Sequence, residues 1–246
     1  RAALVTGASS GLGEHFARAL AARGVIVIAA ARRADRLGEL VSHIRGAGGT
    51  AHALSLDVTD KAAVQATVAK AADIAGRLDI LVNNAGVADS HASIDLPEEN
   101  WRRVLDTNLD GAWRVAQASA QAMLAGGRGG SIVNIASVLG LRVANHLLAY
   151  SAAKAALIHV TKALALEWAR HGIRVNAIAP GYVETEINRG FFASEAGQAM
   201  VKRIPQRRIG TPRDLEGALL LLASDAGSYM TGSIVVADGG HLVNSL

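Results

Sequence analysis

Short apolar runs alternate along the chain with stretches of helical periodicity. Continuous apolar runs are typical of parallel strands whose two faces are both covered by helices. We predict such strands over residues 2–5, 25–30, 52–56, 80–82, 132–136, 175–179 and 234–237.

The segments between these runs place apolar side chains on one helical face. Phe16 and Leu20 repeat at this spacing. Thr211 followed by Pro212 predicts the start of a helix that runs through Leu222. Strands that alternate with helices predict an α/β fold with a doubly wound parallel sheet, in which ligands bind at the carboxyl ends of the strands.

The length of 246 residues suits one large α/β unit, and we predict a single domain over residues 1–246. The stretch 186–205 has the least regular pattern, and we predict a substrate lid there. Phe191, Phe192 and Met200 in this stretch indicate an apolar portion of the substrate. Packing of the lid itself, or contact with another subunit, fits these three side chains equally well.

Composition excludes several functions. The chain has no Cys, which excludes disulfides, thiolate nucleophiles and cysteine-bound zinc and fits a cytoplasmic protein. The eight His residues show no paired metal spacing, so we expect no metal. No apolar run reaches the roughly 18 residues of a membrane span, and we expect no membrane partner. The net charge of +4 is dispersed and only 4% of residues are aromatic, which argues against a nucleic-acid partner.

A glycine-rich turn follows the first predicted strand. Gly7, Gly11 and Gly13 lie in the segment TGASSGLG, and a helical run comes directly after it. Such a turn lets the backbone approach a pyrophosphate, whose charge is favoured at the helix N-terminus. The alternative is a tight strand-to-helix turn with no ligand. The order of strand, turn and helix favours a dinucleotide site.

Two arginines follow the second strand at the position where an acidic residue would bind the adenosine ribose hydroxyls. Arg32 and Arg33 instead suit the 2′-phosphate of NADP(H), because a guanidinium forms charge-assisted, bidentate bonds with phosphate. The alternative is a solvated basic loop. We predict that NADP(H) is preferred over NAD(H).

Six motifs together resemble the short-chain dehydrogenase/reductase family, and they occur in its order and at its spacings across nearly the whole chain. They are the glycine turn, Asn83-Asn84-Ala85-Gly86, Asn108, Ser137, Tyr150-Ser151-Ala152-Ala153-Lys154 and Pro180-Gly181. The resemblance implies a single-domain Rossmann fold with a seven-stranded sheet that carries both cofactor and substrate, and hydride transfer between a carbonyl and an alcohol.

Tyr150 and Lys154 are four residues apart and therefore share one helix face. Reduction of a carbonyl needs a hydride for carbon and a proton for oxygen. An ammonium near a phenol favours the phenolate, so we expect Lys154 to lower the pKa of Tyr150 and make it the general acid and base. Ser137 follows the fifth strand, where its hydroxyl could donate to a developing alkoxide.

The resemblance implies further roles for two residues. Lys154 would hold the nicotinamide ribose hydroxyls, and Asn108, in a helix after Trp101, would hold a water that links Lys154 to solvent. Taken singly, each motif also has a structural explanation. Tyr150 and Lys154 could be an exposed pair, Ser137 a turn residue and Asn108 a satisfied buried amide.

The resemblance also implies a set of cofactor contacts. Asn83 would begin the loop that passes the ribose, and Asp57 would line the adenine pocket, although a strand-end cap or turn residue explains Asp57 equally well. The predicted cofactor-binding residues are Gly7, Ser9, Ser10, Gly11, Leu12, Gly13, Arg32, Arg33, Asp57, Val58, Asn84, Ala85, Gly86, Tyr150, Lys154, Pro180, Gly181, Val183 and Thr185.

The substrate is a small carbonyl or alcohol compound on this reading. The chain looks most similar to 3-oxoacyl-carrier-protein reductases, which predicts 3-oxoacyl thioesters, and sugar, polyol or secondary-alcohol dehydrogenases are the alternative. Arg128, Arg170 and His171 could dock an acidic carrier protein, but solvated surface charge explains them better.

The resemblance further implies a homotetramer or homodimer, with subunit contacts through the helix after Trp101, the helix that bears Tyr150 and the C-terminal strand 234–237. A non-catalytic dinucleotide sensor on the same fold is the rival function, and its expected mark is loss of the tyrosine or lysine. Both Tyr150 and Lys154 are present.

Overall fold

A computed structural model describes residues 1–185, 190, 192 and 194–244. Its seven strands form one parallel sheet in the order β3-β2-β1-β4-β5-β6-β7. The strands are β1 (Ala2–Thr6), β2 (Ile26–Ala31), β3 (Ala51–Ser55), β4 (Ile80–Asn83), β5 (Gly130–Ile135), β6 (Ile173–Pro180) and β7 (Ile234–Ala237).

Helices connect the strands and cover both faces of the sheet. The α-helices are α1 (Gly11–Ala21), α2 (Ala34–Gly46), α3 (Lys61–Ala75), α4 (Glu98–Leu105), α5 (Ala112–Ala125), α6 (Leu148–Trp168), α7 (Glu195–Val201) and α8 (Glu216–Ala223). A π-helical segment, Asp106–Gly111, joins α4 to α5. Short 3₁₀ turns lie at Ser93–Asp95, Val138–Gly140, Ala169–His171, Pro212–Leu215, Asp225–Gly227 and His241–Val243.

Two apolar cores lie on opposite faces of the sheet because successive strand residues point to opposite sides. In β1, Val5 packs with Phe16 of α1 and Leu219 of α8. Its neighbour Leu4 packs into the other core with Val115 of α5. The central strands are therefore buried on both faces, which explains their continuous apolar runs.

The predicted doubly wound parallel sheet is confirmed, and each predicted strand is present with shifts at its ends. The helix predicted after Thr211 begins as the 3₁₀ turn Pro212–Leu215, where Thr211 and Asp214 form a capping box, and becomes α-helical at Glu216.

The predicted lid over 186–205 contains helix α7 within its described part. Phe192 is buried, while Met200 is half-buried. Phe191 lies outside the described residues, as do residues 186–189 and 193. The lid and the single domain stay predictions.

Within the described residues, no helix is both long enough and apolar enough to cross a membrane. The same residues contain no cluster of three or more His, Asp or Glu side chains arranged to hold a metal ion.

The glycine-rich run before β5 packs against the turn before β6. Gly129 has a left-handed backbone, with φ at +67°, and a Cβ there would overlap the carbonyl oxygen of Gly172. The same oxygen accepts a hydrogen bond of 3.1 Å from the backbone N–H of Gly130. The run is therefore explained by close approach of two backbones at the amino edge of the sheet.

We predict that Gly129→Ala lowers the free energy of unfolding by about 2–5 kcal/mol, since a left-handed penalty of about 1–2 kcal/mol is joined by overpacking of about 1–3 kcal/mol. Gly76→Ala is the matched control, because φ is +69° there and a Cβ would meet nothing within 4 Å. It should show the left-handed penalty alone. Urea denaturation gives the free energy of unfolding of both variants. An equal decrease in the two variants would contradict the backbone clash at Gly129.

Candidate active site

A glycine-rich turn joins β1 to α1. Gly7 has φ at +64°, a conformation that favours glycine. A Cβ on Gly7 would lie 2.8 Å from the side-chain nitrogen of Asn84, and a Cβ on Gly13 would overlap the Gly7 carbonyl oxygen. Glycine at both positions allows the turn to pack against the loop after β4 and the helix to approach the turn.

Thr6 fixes the turn to the loop after β4. Its hydroxyl oxygen accepts hydrogen bonds from the backbone N–H groups of Asn84 at 2.9 Å and Ala85 at 3.0 Å. The Asn84 side chain donates back to the Thr6 carbonyl oxygen at 3.0 Å. The carboxyl ends of the neighbouring strands β1 and β4 are thus held as one unit.

An open pocket of about 450 Å³ lies at this carboxyl edge. It is lined by residues at the carboxyl ends of β1, β2, β3 and β4. The predicted cofactor-binding residues that line it are Gly7, Ser9, Ser10, Gly11, Leu12, Arg32, Arg33, Asp57, Val58, Asn84, Ala85, Gly86 and Thr185.

Five of the described residues that line the pocket were not predicted, namely Ala30, Ala31, Leu56, Val87 and Thr107. The first three stand at or just beyond the ends of β2 and β3, so the strand prediction itself could have found them. Val87 continues a loop already singled out. Thr107 lies in the π-helical segment, and nothing local in the sequence marks it.

Six predicted cofactor residues lie outside the pocket lining: Gly13, Tyr150, Lys154, Pro180, Gly181 and Val183. Gly181 packs at the end of β6, where a Cβ would lie 2.7 Å from the Asp238 Cα. Val183 is buried and forms a bridge to Gly210. This segment reaches the pocket only at Thr185.

The two arginines make different contacts. Arg33 donates hydrogen bonds to the hydroxyl oxygens of Ser9, at 3.0 Å, and Ser10, at 2.6 Å. It therefore braces the glycine-rich turn. Arg32 lines the same pocket and is exposed.

Asp57 combines the two explanations that its sequence position allowed. Its carboxylate accepts hydrogen bonds from the Thr59 backbone N–H at 2.9 Å and the Thr59 hydroxyl at 2.8 Å, which makes it a turn residue. These bonds, with a smaller contribution from the charge of Arg32, hold its pKa below the ordinary value. The residue also lines the pocket.

Ser137 and Tyr150 meet beyond the end of β5. The Ser137 hydroxyl oxygen accepts a hydrogen bond of 3.1 Å from the Leu139 backbone N–H, which fixes it at the start of the 3₁₀ turn. The same hydroxyl lies near the Tyr150 phenol. Burial raises the pKa of Tyr150, and the interaction with Ser137 opposes this rise.

Lys154 is buried one helical turn after Tyr150. Its ammonium donates a hydrogen bond of 2.7 Å to the Ile135 carbonyl oxygen and lies 5.7 Å from the centre of the Tyr150 ring. Burial lowers the pKa of Lys154 to about 8. The expectation that Lys154 lowers the pKa of Tyr150 is wrong for this structure, because burial of the phenol outweighs other effects and raises that pKa.

Asn108 is fully buried in the π-helical segment. Its side chain donates to the Val87 carbonyl oxygen and accepts from the Val87 backbone N–H, both at 2.7 Å. Val87 lines the pocket and belongs to the apolar cluster that includes Tyr150. Asn108 thus pins the loop that lies between pocket and tyrosine, and its predicted water-holding role stays a prediction.

Asn83 points away from the pocket. Its side-chain N–H group donates to the Ala112 carbonyl oxygen at 2.7 Å and to the Asn134 side-chain oxygen at 3.1 Å. Asn134 in turn donates to the Thr161 hydroxyl at 2.9 Å. The Asn83 side chain thus forms core hydrogen bonds that join β4 and β5 to the helices beneath them, and the loop that it begins reaches the pocket at Asn84.

The basic residues considered for carrier-protein docking lie at the opposite edge of the sheet. Arg128 precedes β5, while Arg170 and His171 precede β6, so all three stand at the amino ends of their strands. The residues at the carboxyl edge are at the other end of these strands. This arrangement favours solvated surface charge for the three side chains.

Comparisons with known proteins match nearly the whole chain. A family model described as Enoyl-(Acyl carrier protein) reductase matches residues 7–241. An L-rhamnose 1-dehydrogenase (NAD(P)(+)) from Azotobacter vinelandii is 37% identical over 246 residues, which covers 98% of this chain and 96% of the relative.

Two further proteins extend the comparison. The 3-oxoacyl-[acyl-carrier-protein] reductase FabG of Thermotoga maritima is 38% identical over 240 residues, covering 98% and 97% of the two chains. The crystal structure of a variant actinorhodin polyketide ketoreductase with NADPH matches with a TM-score of 0.93 at 36% identity, covering 98% of this chain and 97% of that one. The chain is therefore an oxidoreductase that belongs to the short-chain dehydrogenase/reductase family.

Proposed function

We propose that the protein is an NADP(H)-dependent oxidoreductase that interconverts a carbonyl and an alcohol, with Tyr150 as general acid and base. The observation that carries this proposal is the proximity of the Tyr150 phenol to the Ser137 hydroxyl, beside the pocket. A phenol and a serine hydroxyl give the two groups that a carbonyl oxygen needs when it is reduced, a proton donor and a hydrogen-bond donor.

The pocket fits a dinucleotide on its own geometry. The side chains that Gly7 and Gly13 lack would fill the space between the turn, Asn84 and the helix. The N-terminus of α1 favours a pyrophosphate, and Arg32 favours a 2′-phosphate. When bound there, the nicotinamide supplies or accepts the hydride.

A side chain of the protein donates and accepts the proton. Because burial raises the pKa of Tyr150, the phenol retains its proton at neutral pH and can donate it to the substrate oxygen during reduction. In the oxidative direction the phenol must first release its proton, and the phenolate oxygen then accepts the proton of the alcohol, so the raised pKa makes oxidation more favourable at higher pH. Ser137 donates a hydrogen bond to the substrate oxygen, and Lys154 holds the ribose hydroxyls as the family resemblance implies.

A sugar-like or polyol substrate is favoured over a 3-oxoacyl thioester. The L-rhamnose 1-dehydrogenase relative supports the sugar class. The basic residues considered for docking a carrier protein stand at the amino edge, away from the candidate site. The 3-oxoacyl reductase relative keeps the thioester as the second candidate, and both classes belong in one assay panel.

We further propose that the protein is a homotetramer and is located in the cytoplasm. Helix α6 exposes Leu148 and Leu166, α5 exposes Trp113 and β7 exposes Val236. Helices α5 and α6 and the last strand are the elements through which the family resemblance implies subunit contacts. Exposed apolar side chains on these elements suit such contacts.

We predict that Tyr150→Phe reduces kcat at least ~100-fold on any substrate that the wild type turns over, because the proton donor is lost. Absorbance of the reduced nicotinamide measures turnover, and fluorescence of bound NADPH should show affinity within about threefold of wild type. Tyr229→Phe is the control, since Tyr229 is fully exposed. Substantial turnover by Tyr150→Phe would refute the assigned role.

We predict that Arg32→Asp reverses the cofactor preference. Removal of the guanidinium and addition of a carboxylate should lower kcat/KM for NADPH roughly 100-fold, since charged hydrogen bonds contribute about 1.5–3 kcal/mol each. Activity with NADH should be retained. Arg36→Asp is the matched control, because Arg36 is also exposed on α2 but lies outside the pocket lining. A wild type that uses NADH equally well would contradict the proposal.

Lys154 also predicts a pH dependence of stability in the cofactor-free protein. Its folded-state pKa of about 8 lies below the ordinary 10.5, so between these values the unfolded chain binds more protons and stability rises with pH. Below pH 8 the folded protein carries the full cost of a buried charge. The free energy of unfolding of wild type relative to Lys154→Met should therefore rise by roughly 2–3 kcal/mol between pH 7 and pH 10.

Denaturation at several pH values measures this difference. Lys162→Met, which removes an exposed lysine from the same helix, controls for the general loss of a positive charge. A difference between wild type and Lys154→Met that stays constant with pH would contradict the lowered pKa.

A further inference from the structure

We propose that Arg142, Tyr182 and His241 form an anion subsite that recognises a carboxylate on the substrate. The substrate would then be a hydroxy or keto acid rather than a neutral polyol. This inference rests on the proposed oxidoreductase function. It concerns the binding of a substrate group other than the carbonyl or alcohol that reacts.

The three residues come from loops that follow three adjacent strands. Arg142 follows β5, Tyr182 follows β6 and His241 follows β7, and these strands are neighbours in the sheet. Their carboxyl ends lie at the same edge as Ser137 and Tyr150. The site thus lies on the β5–β7 side of the reacting groups, while the dinucleotide pocket lies on the β1–β4 side.

Arg142 is anchored close to Ser137. Its backbone N–H donates to the Val138 carbonyl oxygen at 2.9 Å, which closes the turn that Ser137 begins. Its guanidinium donates to the His241 carbonyl oxygen at 2.5 Å. This bond links the loop after β5 to the loop after β7 and holds the arginine in a half-buried position.

The charge of Arg142 has no carboxylate partner within the described part of the chain. The bond to His241 occupies one of five guanidinium N–H groups. Asp238, the acidic residue in the same loop as His241, uses its carboxylate to accept the backbone N–H groups of Gly240 at 2.8 Å and Leu242 at 2.5 Å. A half-buried guanidinium with unused donors favours an anionic ligand.

His241 supplies a second polar group. The residue is 8% exposed, and its ring nitrogen Nδ1 is buried without a hydrogen-bond partner among the described residues. The imidazole packs edge-to-face on Tyr182, with ring centres 5.2 Å apart, and Tyr182 packs in the same way on Phe192 at 6.0 Å. Burial raises the pKa of Tyr182 and lowers that of His241. The charge of Arg142 opposes the rise at Tyr182 and adds to the fall at His241, where Asp238 acts in the opposite direction, so the three groups lie within electrostatic range of one another.

A carboxylate suits this arrangement because a planar guanidinium pairs with it through two parallel hydrogen bonds. The packed rings of His241, Tyr182 and Phe192 adjoin the loop that holds the guanidinium, and less polar surroundings strengthen a charged hydrogen bond. A phosphate ester offers the same charge with a larger, tetrahedral group, and the experiment therefore includes one.

The first test compares substrates that differ only in a carboxylate. D-gluconate is paired with D-glucitol, and D-glycerate with glycerol, in the oxidative direction with NADP⁺. Arg142→Gln should raise KM for the acid roughly 10- to 100-fold and change kcat and the KM of the neutral partner less than about twofold. Arg142→Lys should recover part of the loss. Arg23→Gln, an exposed arginine at the amino edge, is the control.

A preference of the wild type for the neutral partner would overturn the inference. Equal effects of Arg142→Gln on the acid and the neutral partner would do so as well, because they would indicate a purely structural role. Tighter use of glucitol 6-phosphate than of gluconate would reject the carboxylate in favour of a phosphate.

The second test does not depend on turnover. Tyr150→Phe protein with NADP⁺ is heated with and without gluconate, and gluconate should raise Tm by at least about 2 °C, because a ligand that binds only the folded state stabilises it. The rise should vanish in the Tyr150→Phe, Arg142→Gln double variant, and glucitol should give none. If neither substrate pair is turned over, the oxidoreductase proposal fails for these compounds, and the Tm measurement alone decides whether the subsite exists. Equal Tm shifts with gluconate and glucitol would overturn the proposed subsite.

Discussion

The hydrogen bond from the buried Lys154 ammonium to the Ile135 carbonyl oxygen ties helix α6 to the end of strand β5. A buried ammonium without a partner is strongly unfavourable, so this bond fixes the position of the helix along the strand. Gly140 allows the same approach, since a Cβ there would lie 2.7 Å from the Lys154 backbone. Tyr150, one turn earlier on the helix, then meets Ser137 beyond the strand. The geometry of the candidate site follows from how closely this helix and this strand approach.

A second set of buried polar contacts supports the sheet below the site. The Asn83 and Asn134 side chains are register partners in β4 and β5, and they bond to each other and on to Thr161 of α6. Amides in a core are tolerated when nearly every polar group is paired, and among the described residues Asn83 Oδ1 is the one oxygen of these two amides without a hydrogen-bond partner. These bonds join two strands to the helix that carries Tyr150 and Lys154, so the polar core and the candidate site share the same elements.

The sequence predicted the features whose causes are local. Apolar runs predicted the strands, and the four-residue spacing predicted that Tyr150 and Lys154 share a helix face. Features that depend on competing tertiary effects were not predictable. One such feature is the direction of the Tyr150 pKa shift, which depends on how deeply the phenol is buried relative to the stabilisation that its neighbours give the phenolate. Another is the direction of two adjacent side chains: Asn83 points to the core and Asn84 contacts the glycine turn, because successive strand residues face opposite sides. Arg128 could have been placed correctly, since it precedes its strand.

The two halves of the site differ in how they are built from the chain. The dinucleotide side uses a contiguous turn and strand ends, which a sequence motif captures. The Arg142, Tyr182 and His241 contacts join positions far apart in the chain, and none of them has a motif of its own. Relatives named for L-rhamnose and for 3-oxoacyl carrier proteins share 37% and 38% identity with this chain. Local motifs therefore identify the chemistry of a family of this kind, while the loops after β5, β6 and β7 are the places where its substrates can diverge without disturbing the fold.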